Sequence, residues 1–220
     1  MRILLTGGSG GIGSAIQAQL NSLGHIVLSP TSSELDLSNP ELITKWLIEH
    51  DNHEIDGIVF SAGINFPMNF EDVLDEQYSR ILQLNTHSCR KIIQHFLPGM
   101  RTRNFGRIIA ISSTYSALSR LGRSSYSISK AALEALIRSV AVENAESNIL
   151  ANSILPGFVE TSLTHKNNNE EQIKKLLERV PIKRLGTPDE VAKLAAFLMA
   201  PENTYITGQS IKIDGGFSIN

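Results

Sequence analysis

Apolar residues along this chain follow two spacings, and the alternation between them lays out the elements. Short runs rich in Ile, Val and Leu at 2–6, 25–29, 56–60, 106–113, 149–155 and 211–214 read as buried strands. Between them, apolar positions recur every three or four residues, as in Ala15, Ile16, Ala18, Leu20 and Leu23 of the stretch 14–23. The same helical spacing runs over 42–50, 80–96, 126–143 and 191–199, and 72–80 reads as a further helix. Strand and helix taken in turn predict an α/β protein built on a parallel sheet.

Local punctuation sharpens the boundaries. Gly24 stops the first helix, and Pro98 with Gly99 should end the helix begun at 80. Ser38-Asn39-Pro40-Glu41 is a helix start, Ser124 or Ser125 can cap the helix from 126, and Thr187-Pro188-Asp189-Glu190 is a capping box. After the second strand the chain is unusually short. Where a further helix and strand would be expected, only 30–33 and the fragment 34–37 remain. Trp46 should pack its helix onto the sheet, and the polar stretch 161–179 reads as a mobile helical flap over a site. No repeat, low-complexity tract or linker divides the 220 residues, so 1–220 reads as one domain.

Composition narrows the setting. Hydrophobic content of 41% is that of an ordinary globular protein, and a net charge of −2 gives no basic footprint for nucleic acid or an anionic membrane. Cys89, the only cysteine, excludes an internal disulfide and reads as a packing thiol in a reducing, cytoplasmic setting. No apolar run approaches spanning length, and the N-terminus reads as a strand and not as a signal peptide.

Two stretches carry chemistry. GGSGGIG at 7–13 joins the first strand to the first helix, where glycines admit a pyrophosphate and the helix start offers free N–H groups. Its spacing fits both G-x-G-x-x-G, through Gly8, Gly10 and Gly13, and a longer-spaced pattern through Gly7, Gly11 and Gly13. The second stretch, 112–135, carries Ser112, Ser113, Arg120, Arg123, Tyr126 and Lys130. Tyr126 and Lys130 are four apart, hence on one helix face, and an ammonium there should lower the phenol's pKa toward neutral exchange. Taken alone, Tyr-x-x-x-Lys is far more often a solvated lysine folding its stem over an aromatic ring.

Taken in order, TGGSGGIG at 6–13, LDL at 35–37, SAG at 61–63, LN at 84–85, ISS at 111–113, YSISK at 126–130, PGFVET at 156–161, RLGTPDEVA at 184–192 and YITGQSIKIDGG at 205–216 resemble the short-chain dehydrogenases/reductases in their single-domain form. The similarity is closest to the 3-oxoacyl-[acyl-carrier-protein] reductases. It implies a Rossmann-type doubly wound parallel sheet in three α/β/α layers, with a shortened segment after the second strand. It implies an NAD(P)-dependent oxidoreductase that interconverts a carbonyl and a secondary alcohol. Tyr126 would be the proton donor and acceptor, Lys130 would lower its pKa and hold the nicotinamide ribose, and Ser113 would hold the reacting oxygen, with Ser112 the alternative. Asn85 would hold a water in a proton relay. Thr6, Gly7, Ser9, Gly11, Ile12 and Gly13 would cradle the pyrophosphate, and Asp36 and Leu37 would lie at the adenine. Ser61, Ala62, Gly63, Pro156, Gly157, Val159 and Thr161 would line the rest of the cofactor's path.

The end of the second strand, Ser29–Ser33, has no carboxylate to repel a 2′-phosphate, yet Glu34 is near and no arginine stands there, so NADP is expected ahead of NAD. Arg120 and Arg123 would rim the substrate pocket and suit an acidic or carrier-linked substrate, unless they are merely solvated or paired with Asp or Glu. His87 and Tyr115 are further candidates for its border. The resemblance also implies a homodimer through the helices at 80–96 and 126–143, or a homotetramer through the C-terminal strand as well. Other readings are a reductase of a small keto acid or nucleotide sugar and, from another class, a dinucleotide-binding sensor or scaffold.

Overall fold

The computed structural model describes residues 1–51 and 54–220, with the side chains of Leu163 and Asn167 left aside. Strands β1 (Arg2–Thr6), β2 (Ile26–Leu28), β3 (Gly57–Phe60), β4 (Gly106–Ile111), β5 (Ile149–Pro156) and β6 (Ser210–Ile213) form one sheet. Its order is β2-β1-β3-β4-β5-β6 and every pairing is parallel. Two spatial neighbours of β1 thus come from either side of it, which opens a crevice at the C-terminal edge where the winding reverses.

The period-2 pleat sorts the strand residues onto two cores. Leu4, Ile58, Phe60, Ile108 and Ala110 face helices α2 (Pro40–Glu49), α4 (Ser88–Thr102) and α5 (Ser124–Asn144). Ile3, Leu5, Val59, Ile109 and Ile111 face α1 (Gly11–Ser22) and α8 (Pro188–Met199). Central strands therefore read as unbroken apolar runs, because both faces are covered. This is the expected three-layer α/β/α arrangement. Trp46 is buried in the first core, as anticipated, and so is Cys89, whose thiol burial pushes up to about 11.

Several boundaries differ from expectation. The helix predicted to run unbroken from 80 to 96 is α3 (Asp75–Leu82), a π-helical turn at Gln83–His87, and α4. Pro98 and Gly99 do not end α4, which continues to Thr102 because Met100 of its last turn is wholly buried. Neither Ser124 nor Ser125 caps α5. The capping position falls on Arg123, whose side chain makes no cap bond, and both serines lie inside the helix. The segment 161–179 folds as α6 (Ser162–Asn167) and α7 (Glu170–Glu178), with Leu176 and Val180 buried beneath it. After β2 the chain makes only turns before α2, so β2 is a sheet edge, with Ile26 64% exposed.

The capping box of α8 forms as predicted. Thr187 Oγ1 accepts from the Glu190 backbone N–H at 3.3 Å, and Glu190 Oε2 accepts from the Thr187 N–H at 2.7 Å. Thr187→Ala should cost about 1 kcal/mol, read as a lower urea midpoint at unchanged slope.

Candidate active site

The glycine turn is built by close approach. Gly7 has φ +74°, and a Cβ there would lie 2.5 Å from the Ala62 amide nitrogen at the end of β3. A Cβ on Gly13 would lie 2.1 Å from the Gly7 carbonyl oxygen, and one on Gly11 would lie 2.9 Å from the Thr161 methyl. Backbone thus demands glycine at 7 and 13, and side chains crowd Gly11 and Gly8 (2.9 Å to Thr161, 2.0 Å to Ser29 Oγ), whereas Gly10 of the shorter pattern has 3.4 Å of room, which favours the longer-spaced pattern. Gly10 precedes α1 without a side-chain cap, so the first-turn N–H groups of α1 have no partner from a capping side chain. Uncapped N–H groups beside a turn no side chain can fill are what a pyrophosphate requires. A dinucleotide's phosphates fit these residues.

From that turn a cleft runs along the C-terminal ends of β3, β4 and β5. Ile12, Ser61, Gly63, Pro156, Gly157, Val159 and Thr161 line it, as do Ser113, Tyr126 and Lys130. Thr6 is buried at the end of β1 and its hydroxyl meets no donor or acceptor among the described residues, while Ser9 is exposed on the turn. Ala62 forms the wall against Gly7. Asp36 and Leu37 are not cleft residues. The Asp36 carboxylate accepts from the Ser38 N–H at 2.8 Å and hydroxyl at 2.7 Å, and Leu37 packs in the first core. Glu34, beside the expected adenosine position, accepts from the Thr31 N–H at 2.7 Å and hydroxyl at 2.8 Å.

The catalytic candidates converge, with a redistribution of charge. Lys130 Nζ donates to the Ile111 carbonyl at 2.8 Å and lies 5.7 Å from the centre of the Tyr126 ring. Burial brings the Lys130 ammonium down to about 8, against a smaller upward pull from Cys89 and Glu134. Burial also pushes the Tyr126 phenol above its ordinary value. The neighbouring Ser113 hydroxyl and then the Arg123 guanidinium draw it back. The expected pull of Lys130 on the phenol is not among the causes of this shift. The lysine sits against the ring face with its charge turned to β4, and the cation that acts on the phenol is Arg123.

Of the serine pair, Ser112 Oγ donates to Glu134 Oε1 at 2.7 Å, whereas Ser113 stands beside Tyr126. The π-turn aims Asn85 inward. Its amide donates to the Ile64 carbonyl at 3.0 Å and to Ser129 Oγ at 2.9 Å, and its Oδ1 accepts from the Ile64 N–H at 2.9 Å. A Cβ on Gly63 would lie 3.4 Å from Lys130 Nζ and 3.6 Å from Asn85 Oδ1, so the three positions meet.

Arg120, Arg123 and Tyr115 line the cleft as anticipated, but His87 does not and is exposed on the π-turn. Asn65, Phe158, Thr164 and Asn168 also line it and were not anticipated. Asn65 and Phe158 adjoin the SAG and PG signals, which could have pointed to them. Thr164 and Asn168 stand in a polar run without pattern.

A twisted parallel sheet with a glycine phosphate turn at β1–α1 and a Ser, Tyr and Lys set at its C-terminal edge defines a dinucleotide-dependent oxidoreductase site. A profile described as enoyl-(acyl carrier protein) reductase matches residues 11–218, and the chain belongs to the short-chain dehydrogenase/reductase family. The 3-oxoacyl-[acyl-carrier-protein] reductase of Vibrio cholerae is 34% identical, over 97% of this chain and 95% of its own. The acetoacetyl-CoA reductase of Shinella zoogloeoides is 30% identical, over 97% and 96%. A Beutenbergia cavernae protein assigned as an NAD(P)-dependent gluconate 5-dehydrogenase, solved with NADP at low occupancy, superposes with a TM-score of 0.94 at 25% identity, over 100% and 97%.

Two measurements check this geometry. Gly24 also has positive φ, +79°, but a Cβ there meets nothing within 4 Å. Gly24→Ala should therefore cost about 1 kcal/mol of backbone strain, and Gly7→Ala should cost roughly 1–3 kcal/mol more in urea denaturation. Lys130 titrates near 8 when folded, below its ordinary 10.5, so between those values unfolding takes up a proton and stability rises with pH. The stability difference between wild type and Lys130→Met should shift in favour of wild type by about 3 kcal/mol from pH 7 to pH 10.5; a difference that does not change with pH refutes it.

Proposed function

We propose that the chain is an NAD(P)(H)-dependent oxidoreductase that reduces a ketone to a secondary alcohol, or runs the reverse, in the manner of the 3-oxoacyl reductases it resembles. The observation that carries this reading is the meeting of Tyr126, Ser113 and Lys130 in one cleft that begins at the glycine turn. Gly7, Ser9, Gly11, Ile12 and Gly13 would hold the pyrophosphate. Thr6, Ser61, Ala62, Gly63, Pro156, Gly157, Val159 and Thr161 would frame the remaining path, with Asp36 and Leu37 supporting the adenosine side from behind. Bound NAD(P)H supplies the hydride.

The chain's own residues handle the proton. Ser113 orients the substrate oxygen, and Tyr126 passes its phenolic proton to that oxygen as charge develops there. A phenol raised by burial keeps its proton in the ground state, where it is available for transfer. Its anion is stabilised after transfer by Ser113 and Arg123. Lys130, easily deprotonated with a pKa near 8, returns the proton through the water path that Asn85 frames by holding Ile64 to Ser129. Lys130 also positions the nicotinamide ribose.

NADP is the expected cofactor. The segment after β2 presents Ser29, Thr31 and Ser33, and the one nearby carboxylate, Glu34, is engaged by Thr31. Among the described residues no helix is long and apolar enough to cross a membrane, and a single buried thiol suits the reducing cytoplasm as the proposed setting. Residues 1–220 act as one domain and associate as a homodimer or homotetramer, with Val142 of α5 83% exposed on the face that would pair.

Tyr126→Phe should lower kcat for NADPH-linked ketone reduction by about 10²–10⁴-fold while NADPH still binds in a fluorescence titration. Full activity in that variant would remove the phenol from the chemistry. Binding of NADPH by wild type without turnover of any ketone would favour a sensor.

A further inference from the structure

The cleft is electrically one-sided. Three cationic side chains line it, Arg120, Arg123 and Lys130, and no aspartate or glutamate does. Lys130 is accounted for by the Ile111 carbonyl and the ribose it would meet. The two arginines, one beside the Tyr126 phenol and one on Tyr115, have no anionic partner among the described residues. Arg120 Nη1 donates to Tyr115 Oη at 3.1 Å, which turns its guanidinium into the cleft, and among the described residues no carboxylate pairs with it or with Arg123. The Arg123 guanidinium makes no hydrogen bond among the described residues, although its backbone pairs with Arg120 and Ser127. Arg184, by contrast, grips Glu190 through both nitrogens, and Arg103 reaches Asp56.

The pair is also held in place. The loop that carries it docks on the segment after β3 through the Met68 N–H, which donates to the Gly122 carbonyl at 3.1 Å. Arg123 is half-buried at the start of α5, where that helix has no capping side chain. On the wall of the same cleft Asn65 offers a buried Oδ1 that meets no donor among the described residues. Two guanidiniums taken partly out of water, with an unmet acceptor in the same cleft, describe a receptor for a group that is anionic at one point and carries a hydroxyl or N–H at another.

Resting on the reductase reading above, we infer that the substrate carries its own free carboxylate, held by Arg120 and Arg123, and is an oxo acid or its hydroxy acid in place of a carrier-bound thioester. A thioester presents a neutral carbonyl at that position and would leave both guanidiniums half-desolvated without an anion. A carboxylate meets them in the planar, two-point geometry that guanidinium favours. A hydroxyl elsewhere on the carbon chain would give Asn65 its donor, which favours a hydroxylated acid.

The test compares matched pairs. NADPH oxidation is followed with 2-, 3-, 4- and 5-oxo acids and with the methyl ester of each, so that only the charge differs. For the best acid, kcat/KM should exceed that for its ester by at least about tenfold, and this ratio should fall to within about threefold in the Arg120→Gln/Arg123→Gln double variant. A second readout needs no turnover. With NADP present, an oxo acid has no hydride to accept, and its binding can be measured by calorimetry; wild type should bind the acid and not the ester, and the double variant should lose that preference. A wild-type ratio near one, or a ratio that survives the double substitution, overturns the carboxylate clamp while leaving the reductase reading intact. A double variant that loses NADPH affinity and not acid preference assigns the arginines to the cofactor and overturns it equally. If wild type binds NADPH but turns over no ketone of either series, the reductase reading fails, and the clamp fails with it unless calorimetry still shows the acid preference.

Discussion

An ammonium group taken out of water ties this structure together. Lys130 is buried on α5 and its nitrogen donates to the Ile111 carbonyl, at the last residue of β4. An isolated charge in that setting would be costly, and it is tolerated because a backbone oxygen at the sheet's C-terminal edge accepts from it and because the group yields its proton near pH 8. The bond fixes where α5 crosses β4. Tyr126, one turn earlier on the same helix, is thereby carried over the strand end, next to Ser113. Asn85 completes the arrangement by clamping the segment after β3 to Ser129 of the same helix.

The electrostatics divide into two roles that a single lysine was expected to fill. Lys130 faces the strand and the ring, where it anchors the helix and can relay a proton. Arg123, at the start of α5, is the cation that acts on the phenol. This separation matters because burial by itself pushes a tyrosine toward the neutral form, so some cation must be placed to stabilise the anion left after proton transfer. An arginine does so without losing its own charge, since guanidinium keeps its proton in any protein environment. The same guanidinium, with Arg120, leaves one end of the cleft positive and without an internal counter-ion, a condition a substrate anion would relieve.

Shortening after β2 changes the cofactor end more than the catalytic end. Strand β2 becomes an edge, and the turns of 29–39 replace a covering helix and strand. The sheet tolerates this because its core lies under β1, β3, β4 and β5, whose residues are enclosed on both faces, while β2 contributes little buried surface. The consequence is a more open adenosine side, with Glu34 bound to Thr31 where a more extended chain would place other groups.

Much of this was legible in the order of residues. Strand runs, helix periodicity, the glycine turn and the Tyr-x-x-x-Lys spacing depend on neighbours within one or two turns, and local physics suffices to read them: six strands, the α8 capping box and the phosphate turn at 7–13 all follow. What needed the tertiary structure depends on partners far along the chain. Pro98 fails to end α4 because Met100 has a core to fill, and Ser113 is distinguished from Ser112 only by Glu134, 22 residues beyond the latter. The inward turn of Asn85 and the lack, among the described residues, of a carboxylate paired with Arg120 or Arg123 are likewise invisible in sequence. A charge's partner, and so its pKa and its availability to a substrate, is settled by distance in space, and sequence spacing carries that information only within a helix turn or across a paired strand.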